Sequence, residues 1–350
     1  MAAQYGVATA NTKLDCVQID GLVVLKIIKH CRDEGNSNQL VSGQLLGMDI
    51  TTPVDNAAGK ETTLEVTSCF PMPHTGEDDS AEETDIYVTD MLRCMRDVNV
   101  DNNNVGWYQS TFMNSWLDAD GPTVATQFQF QESVPKSVCL VYDPVRTSSG
   151  SVYLKAYRLT DKFMTKYRAH TESGLHGFTE ADLKPKYKDD YSGELLEEGI
   201  SIDDIFEEVP IRIHNSALVN AMLYDWVCEG TMGAKVDCDF ERLDLSNRPF
   251  LEKSMELLVD GIESLRQDQD RAEFRKRDTE RKRREYKRNA RGDDASKQEE
   301  LVRLFPDPSR LEGLLIANQV ESYCDAVAKF TGQSFSKLYI MKGLHEEGTN

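Results

Sequence analysis

The chain has 350 residues, of which 39% are apolar and 29% charged, and 60 acidic against 40 basic side chains give it a formal net charge of −20. That length calls for one large domain or two modest ones, and an acidic excess of this size excludes a protein that coats nucleic acid with its whole surface. Met1 to Thr12 lacks the basic start and apolar run of a secretory signal, and Leu22 to Ile28, broken by Lys26, is far too short to span a membrane, so a soluble cytoplasmic protein is expected.

Asp20 and Gly21 open the run Leu22-Val-Val-Leu-Lys-Ile-Ile28, which reads as a helix with Asp20 as its N-cap. Leu40 to Gly47 and Thr63 to Phe70 are short β-rich runs, and Thr51 to Lys60 is the loop expected between them. An acidic loop, Glu77 to Asp85, feeds a helix whose Val88, Met91, Met95 and Val98 recur at helical spacing, a stripe expected in the core. Val105 to Tyr108, Ser137 to Tyr142 and Ser151 to Tyr157 read as strands, with a turn from Asp143 through Gly150. Interleaved strands and helices of this kind predict an α/β domain over residues 14–165. Residues 166–200 turn polar and turn-rich, as a linker or insertion would.

Residues 201–350 are expected to be mainly helical. Val209 to Ile213 reads as a short strand, and Ser216 can cap a helix carrying Leu218, Met222 and Trp226. Leu251, Met255, Leu258, Ile262 and Leu265 form a four-three seam of about two heptads. The helix should continue to Asn289, a rod of about 60 Å at 1.5 Å per residue. Its stretch 271–291 holds eleven Lys and Arg against four acidic residues. Such a run is either a solvated helix face or a charge-driven, sequence-indifferent contact with RNA. Ile316, Val320, Tyr323, Val327 and Phe330 make a second seam, which Thr331-Gly332 should close before Ser334 caps a last helix.

The segment with the most chemical information is Val105-Gly-Trp-Tyr-Gln-Ser-Thr-Phe112. It resembles the zinc-binding segment of MPN (Mov34-like) domains, whose hydrolytic members read G-W-Y-H-S-H-P followed by a Ser and an Asp. In that family the two His and the Asp bind zinc, and a Glu on an earlier strand serves as general base. Here Gly106, Trp107, Tyr108 and Ser110 match, while Gln109 and Thr111 stand in the histidine places and Leu40 in that of the base. Depending on register, the Ser and Asp places fall on Ala119 and Pro122 or on Asp118 and Gly121. Catalytic zinc needs three imidazole, thiolate or carboxylate donors, which an amide and a hydroxyl do not replace. The six histidines show no paired ligand spacing, and the eight cysteines no C-x-x-C, so the thiols should be reduced and no metal, cofactor or catalytic residue is expected.

The resemblance implies a curved mixed sheet flanked by helices, followed by long helices that join a multi-subunit bundle. Zinc-free MPN subunits occur in the proteasome lid, the signalosome and eukaryotic translation initiation factor 3. Val17 to His30, Cys69 to Pro71, Leu154 to Thr160, Phe206 to Ile211 and Leu314 to Ala317 are similar to the initiation-factor branch, in the MPN subunit that forms a heterodimer with the factor's F subunit. That branch implies a non-catalytic scaffold, with PCI-domain subunits and the small ribosomal subunit as further partners and recruitment of mRNA and initiator tRNA as the outcome. The lid and the signalosome are the alternatives, and a zinc isopeptidase is the enzyme reading that the missing ligands oppose. The two seams, from Leu251 to Leu265 and from Ile316 to Phe330, are expected at interfaces with partner helices.

Overall fold

The computed structural model describes residues 14–34, 41–53, 60–73, 81–113, 115–117, 123–148, 152–173, 204–228, 248–289 and 309–347. Leu40, residues 74–80 with the start of the expected acidic loop, residues 118–122 and most of the stretch 166–200 therefore lie outside the described residues, while Glu82, Glu83 and Asp85 of that loop belong to the helix Ala81–Asp97. The elements fall into two compact units: the first holds an eight-stranded sheet with α1 to α4 and α6, the second α5, α7 and α8.

The first unit runs β1 (Cys16–Asp20), α1 (Gly21–Glu34), β2 (Ser42–Pro53), β3 (Lys60–Pro71), α2 (Ala81–Asp97), β4 (Asn104–Ser110), α3 (Thr123–Ser133), β5 (Val138–Tyr142), α4 (Pro144–Ser148) and β6 (Leu154–Leu159). It closes with β7 (Phe206–Val209), β8 (Ile211–His214) and α6 (Ala217–Cys228). The spatial order is β7-β6-β5-β4-β2-β3-β1-β8. β2 is antiparallel to β3 and β4, whereas β4 and β5 are parallel, as are β1 and its neighbours β3 and β8. β7 and β8 take opposite edges of the sheet although only Pro210 separates them, so the sheet must curl almost into a barrel.

All five residues of β5 are buried, as is usual for a strand covered on both faces. Val23, Val24, Ile27 and Cys31 of α1 meet Val17, Ile19, Leu64, Val66 and Leu140 in one apolar cluster. The N-terminus of α1 is tied by Asn215, whose Oδ1 accepts from Gly21 N–H at 3.0 Å, in place of the cap expected from Asp20. β1 and α3 are elements that the sequence pattern does not predict, and β2 and β3 extend into the expected loop 51–60. α3 escapes hydrophobic patterning because two of its inward positions are glutamines. Gln127 accepts from Trp107 Nε1 at 2.8 Å and donates to Gln131 and to the Ser137 carbonyl.

The stripe on α2 departs from expectation too. Val88, Met91 and Met95 are half-buried and Val98, just past the helix end, is 71% exposed, so this face belongs to the surface and not to the core. Asp143, expected in a turn, is fully buried, and its Oδ1 accepts from the amides of Val145 and Arg146 to start α4.

The second unit contradicts two expectations. Asp161–Ser173 is a helix, α5, so the segment from 166 does not begin as a linker; Thr160 Oγ1 accepts from Phe163 N–H at its start, and Phe163 is fully buried. The last helix, α8 (Leu311–Glu347), runs unbroken through Thr331-Gly332. Its hydroxyls bond back onto their own helix, Thr331 to the Val327 carbonyl at 2.6 Å and Ser334 to that of Phe330 at 2.9 Å, so neither terminates or caps anything. One interior glycine costs a helix only about 1 kcal/mol, too little to break it.

α7 (Arg248–Asn289) is the expected rod, and it packs antiparallel on α8. A Cβ on Gly261 would lie 3.1 Å from Val320 and 3.6 Å from Tyr323, and one on Gly313 would meet Asp268, so residues rise along one helix as they fall along the other.

Candidate functional site

β4 is laid between β2 and β5, with Gln109 opposite Ser42 and Val141, and Ser110 opposite Tyr142. Two glycines permit this. Gly106 sits at φ +151° with its would-be Cβ 2.1 Å from the Val138 carbonyl oxygen, so any side chain there collides with backbone. Gly43 leaves room for Tyr108, whose ring would meet a Cβ at 2.3 Å; the Tyr108 hydroxyl lies 2.9 Å from His30 Nδ1. Trp107 stacks on Phe130 at 6.4 Å between ring centres. The glycines and aromatics of the zinc-site pattern thus build a strand junction that needs no metal.

The positions that would hold metal are engaged otherwise. Gln109 is buried, and its Nε2 donates to the Trp116 carbonyl at 3.2 Å. Trp116 in turn stacks on Tyr157 with ring centres 4.5 Å apart, and Met113, beside it, is buried at φ 51°. Met113 and Trp116 therefore lie back against the end of β4. Ser110 Oγ accepts from Val41 N–H at 2.7 Å, which spends it on strand pairing. Thr111 is buried with its amide donating to the Tyr142 carbonyl, and its hydroxyl has no hydrogen-bond partner among the described residues. An amide already bonded to a carbonyl and a neutral hydroxyl do not fit zinc, and no group of three His, Cys, Asp or Glu side chains with metal-binding geometry occurs among the described residues. The thiols of α1 and β3 offer no nucleophile either: burial pushes Cys31 up to about 12 and Cys69 up to about 11. Trp116 and Gln127, which shape this place, do not stand out in the sequence. A lone tryptophan in a polar stretch is the available signal for the first, and a glutamine gives none.

The expected interface residues fall into two groups. Ile316 and Tyr323 are buried inside the second unit, and Leu251, Leu258, Leu265, Val320, Val327 and Phe330 are half-buried. Met255 and Ile262 are exposed. The covered face of α7 is Leu251, Ser254, Leu258, Gly261, Leu265, Asp268 and Ala272, in register with the expected seam at every leucine but completed by small or polar residues. Past α7's first turn, α8 has no α7 residue to meet, and there Phe335 (67%), Leu338 (59%) and Tyr339 (83%) are exposed. On the first unit, Leu218 and Met222 of α6 are exposed as well, and Trp226's side chain lies outside the described residues.

Within the basic stretch, acids and bases pair one turn apart: Arg277–Glu273 and Lys282–Asp278 at 2.8 and 2.7 Å, Arg284–Glu280 at 3.3 Å and Arg281–Glu285 at 3.5 Å. These are exposed pairs that support the helix weakly.

A nearly closed mixed sheet, with its G-W-Y strand intact, defines an MPN domain followed by a helical region. Residues 12–136 match the family model described as "JAB1/Mov34/MPN/PAD-1 ubiquitin protease", and residues 147–350 match "C-terminal region of eIF3h". The chain is 37% identical to the H subunit of eukaryotic translation initiation factor 3 from Dictyostelium discoideum, covering 96% of this chain and 97% of the relative. It is 36% identical to the protein of that name in Arabidopsis thaliana, over 95% and 94%, and 35% to that of Nematostella vectensis, over 96% of each. The chain belongs to the family formed by the H subunits of eukaryotic translation initiation factor 3.

Proposed function

We propose that the chain is a non-catalytic scaffold subunit of the cytoplasmic initiation factor 3 complex, helping the assembly bind the small ribosomal subunit and recruit mRNA and initiator tRNA. The observation that carries this reading is the apolar end of α8. Phe335, Leu338, Tyr339, Ile340 and Met341 are all exposed on one helix, and so dense a group of large apolar side chains in water marks a surface for other helices to cover. Helices of the PCI-domain subunits are the expected surroundings. For the MPN unit, the half-covered stripe of Val88, Met91 and Met95, with Ile86 exposed beside it, supports pairing with the F subunit of the factor. No described helix is long and apolar enough to cross a membrane.

The test replaces Phe335 and Leu338 together by Asp. The isolated double variant should keep its thermal transition, because both sites are exposed, while its recovery with the other subunits should drop at least tenfold, since buried unpaired carboxylates are costly. Undiminished co-purification would overturn the reading. So would about one equivalent of zinc in the wild-type chain, removable by chelator with loss of a peptidase activity.

A further inference from the structure

Where the first turn of α8 crosses α7, a cavity of about 340 Å³ opens to the surface, large enough for one long side chain. Asp268 lines it. This carboxylate is only 8% exposed, and its Oδ2 has no hydrogen-bond partner among the described residues. Gly313 makes room for it: a Cβ there would come within 2.6 Å of Oδ2. Arg310 lies on the wall of the same cavity yet donates nothing to that oxygen. A buried carboxylate oxygen without a partner is expensive.

The rest of the lining suits one class of occupant. Glu273 adds a second carboxylate, while Leu265, Leu314 and Ala317 offer apolar walls to a methylene stem. Gln269 and Glu273 lie seven and eleven residues beyond the exposed Ile262, on the same face of α7, so the cavity continues an apolar strip that a second helix could cover. We propose that the cavity receives a lysine or arginine side chain from a helix of a partner subunit, with Asp268 as its buried counter-ion. This rests on the reading of the chain as a subunit of the complex.

The experiment uses the full chain, wild type and Asp268→Asn, a change that keeps shape and removes charge. Each is melted alone and then competed for entry into initiation factor 3 reconstituted from its remaining subunits. An unpaired carboxylate in the free chain predicts an unchanged or higher melting temperature for the variant alone. Its loss in the assembly strands the partner's cation, and affinity should fall about thirtyfold or more. A variant that assembles like wild type overturns the proposal. So does one that fails to fold or melts lower alone, which would make Asp268 the anchor of α8. Failure of the wild-type chain to enter the complex would count against the subunit reading and not against the cavity.

Discussion

The sheet unit and the helical unit solve the burial problem differently. In the first, β5 is buried along its whole length, α1 covers the apolar cluster, and buried polar groups such as Gln127 and Asp143 have their partners within the unit. In the second, two long helices cover only one face of each other, and Met255, Ile262, Phe335 and Tyr339 are left outside. A unit with a core of that kind can change the metal-ligand positions of one strand and remain a fold; on the proposed reading, the second unit completes its apolar cover with helices of other subunits. The first unit leaves apolar stripes on a surface outside a closed core, as on α2, whereas the second leaves part of its own apolar seam uncovered among the described residues.

The most damaging single change should therefore lie in the sheet. Replacing Gly106 by Ala forces a methyl group against the Val138 carbonyl and places an L side chain at φ +151°, with neither strand free to move. We expect a loss of about 3 kcal/mol or more in urea unfolding, with the transition of the sheet shifted first. A loss below about 1 kcal/mol would mean that β4 and β5 can part without cost, and that the first unit is not the self-sufficient one.

The strand carrying the degenerate site was legible because its signal is chemical. Gly106, Trp107 and Tyr108 occur in a fixed spacing, and the changes at Gln109 and Thr111 could be read as lost ligands. What escaped were places where burial does not use apolar residues. α3 turns Gln127 and Gln131 inward, and α7 is closed by Ser254, Gly261, Asp268 and Ala272, none of which a hydrophobic count would choose. The same count placed Met91 and Met95 in the core, because apolar spacing shows that a helix has a covered face without saying whether its own chain covers it. Thr331 and Ser334, on either side of Gly332, misled in the opposite sense: their cap chemistry is turned back on the helix they belong to.

That last point can be tested with a smaller effect of opposite sign. Around Gly332 nothing lies within 4 Å of a built Cβ, and the helix passes through it without interruption. Gly332→Ala should raise stability by about 0.5–1 kcal/mol through helix propensity and a less flexible unfolded chain, read as a higher melting point and greater helical ellipticity. A destabilising result would show a helix end at Thr331-Gly332 after all, and would move the exposed apolar turns of α8 onto a separate element.

The smallest expected change in stability concerns the basic end of α7. Changing Arg281, Lys282, Arg283 and Arg284 to Ala removes the exposed, solvent-screened pairs to Glu285, Asp278 and Glu280, but adds four residues of the highest helix propensity. The two effects should nearly cancel, leaving the melting point within a degree or two of wild type. Electrostatics should respond more clearly. The stretch 271–291 carries a local charge of +7, while only Phe274 and Tyr286 offer rings for stacking, so any grip on single-stranded RNA must come from phosphate neutralisation. Binding measured across a salt series should then weaken steeply with salt and alike for unrelated sequences. Loss of four cations should flatten the log–log slope by up to about 2.8, at about 0.7 per neutralised phosphate. A slope that does not change would make this end of α7 a solvated helix whose charges are held by their own neighbours. A salt-insensitive preference for one sequence would require a recognition surface that two separated rings do not provide.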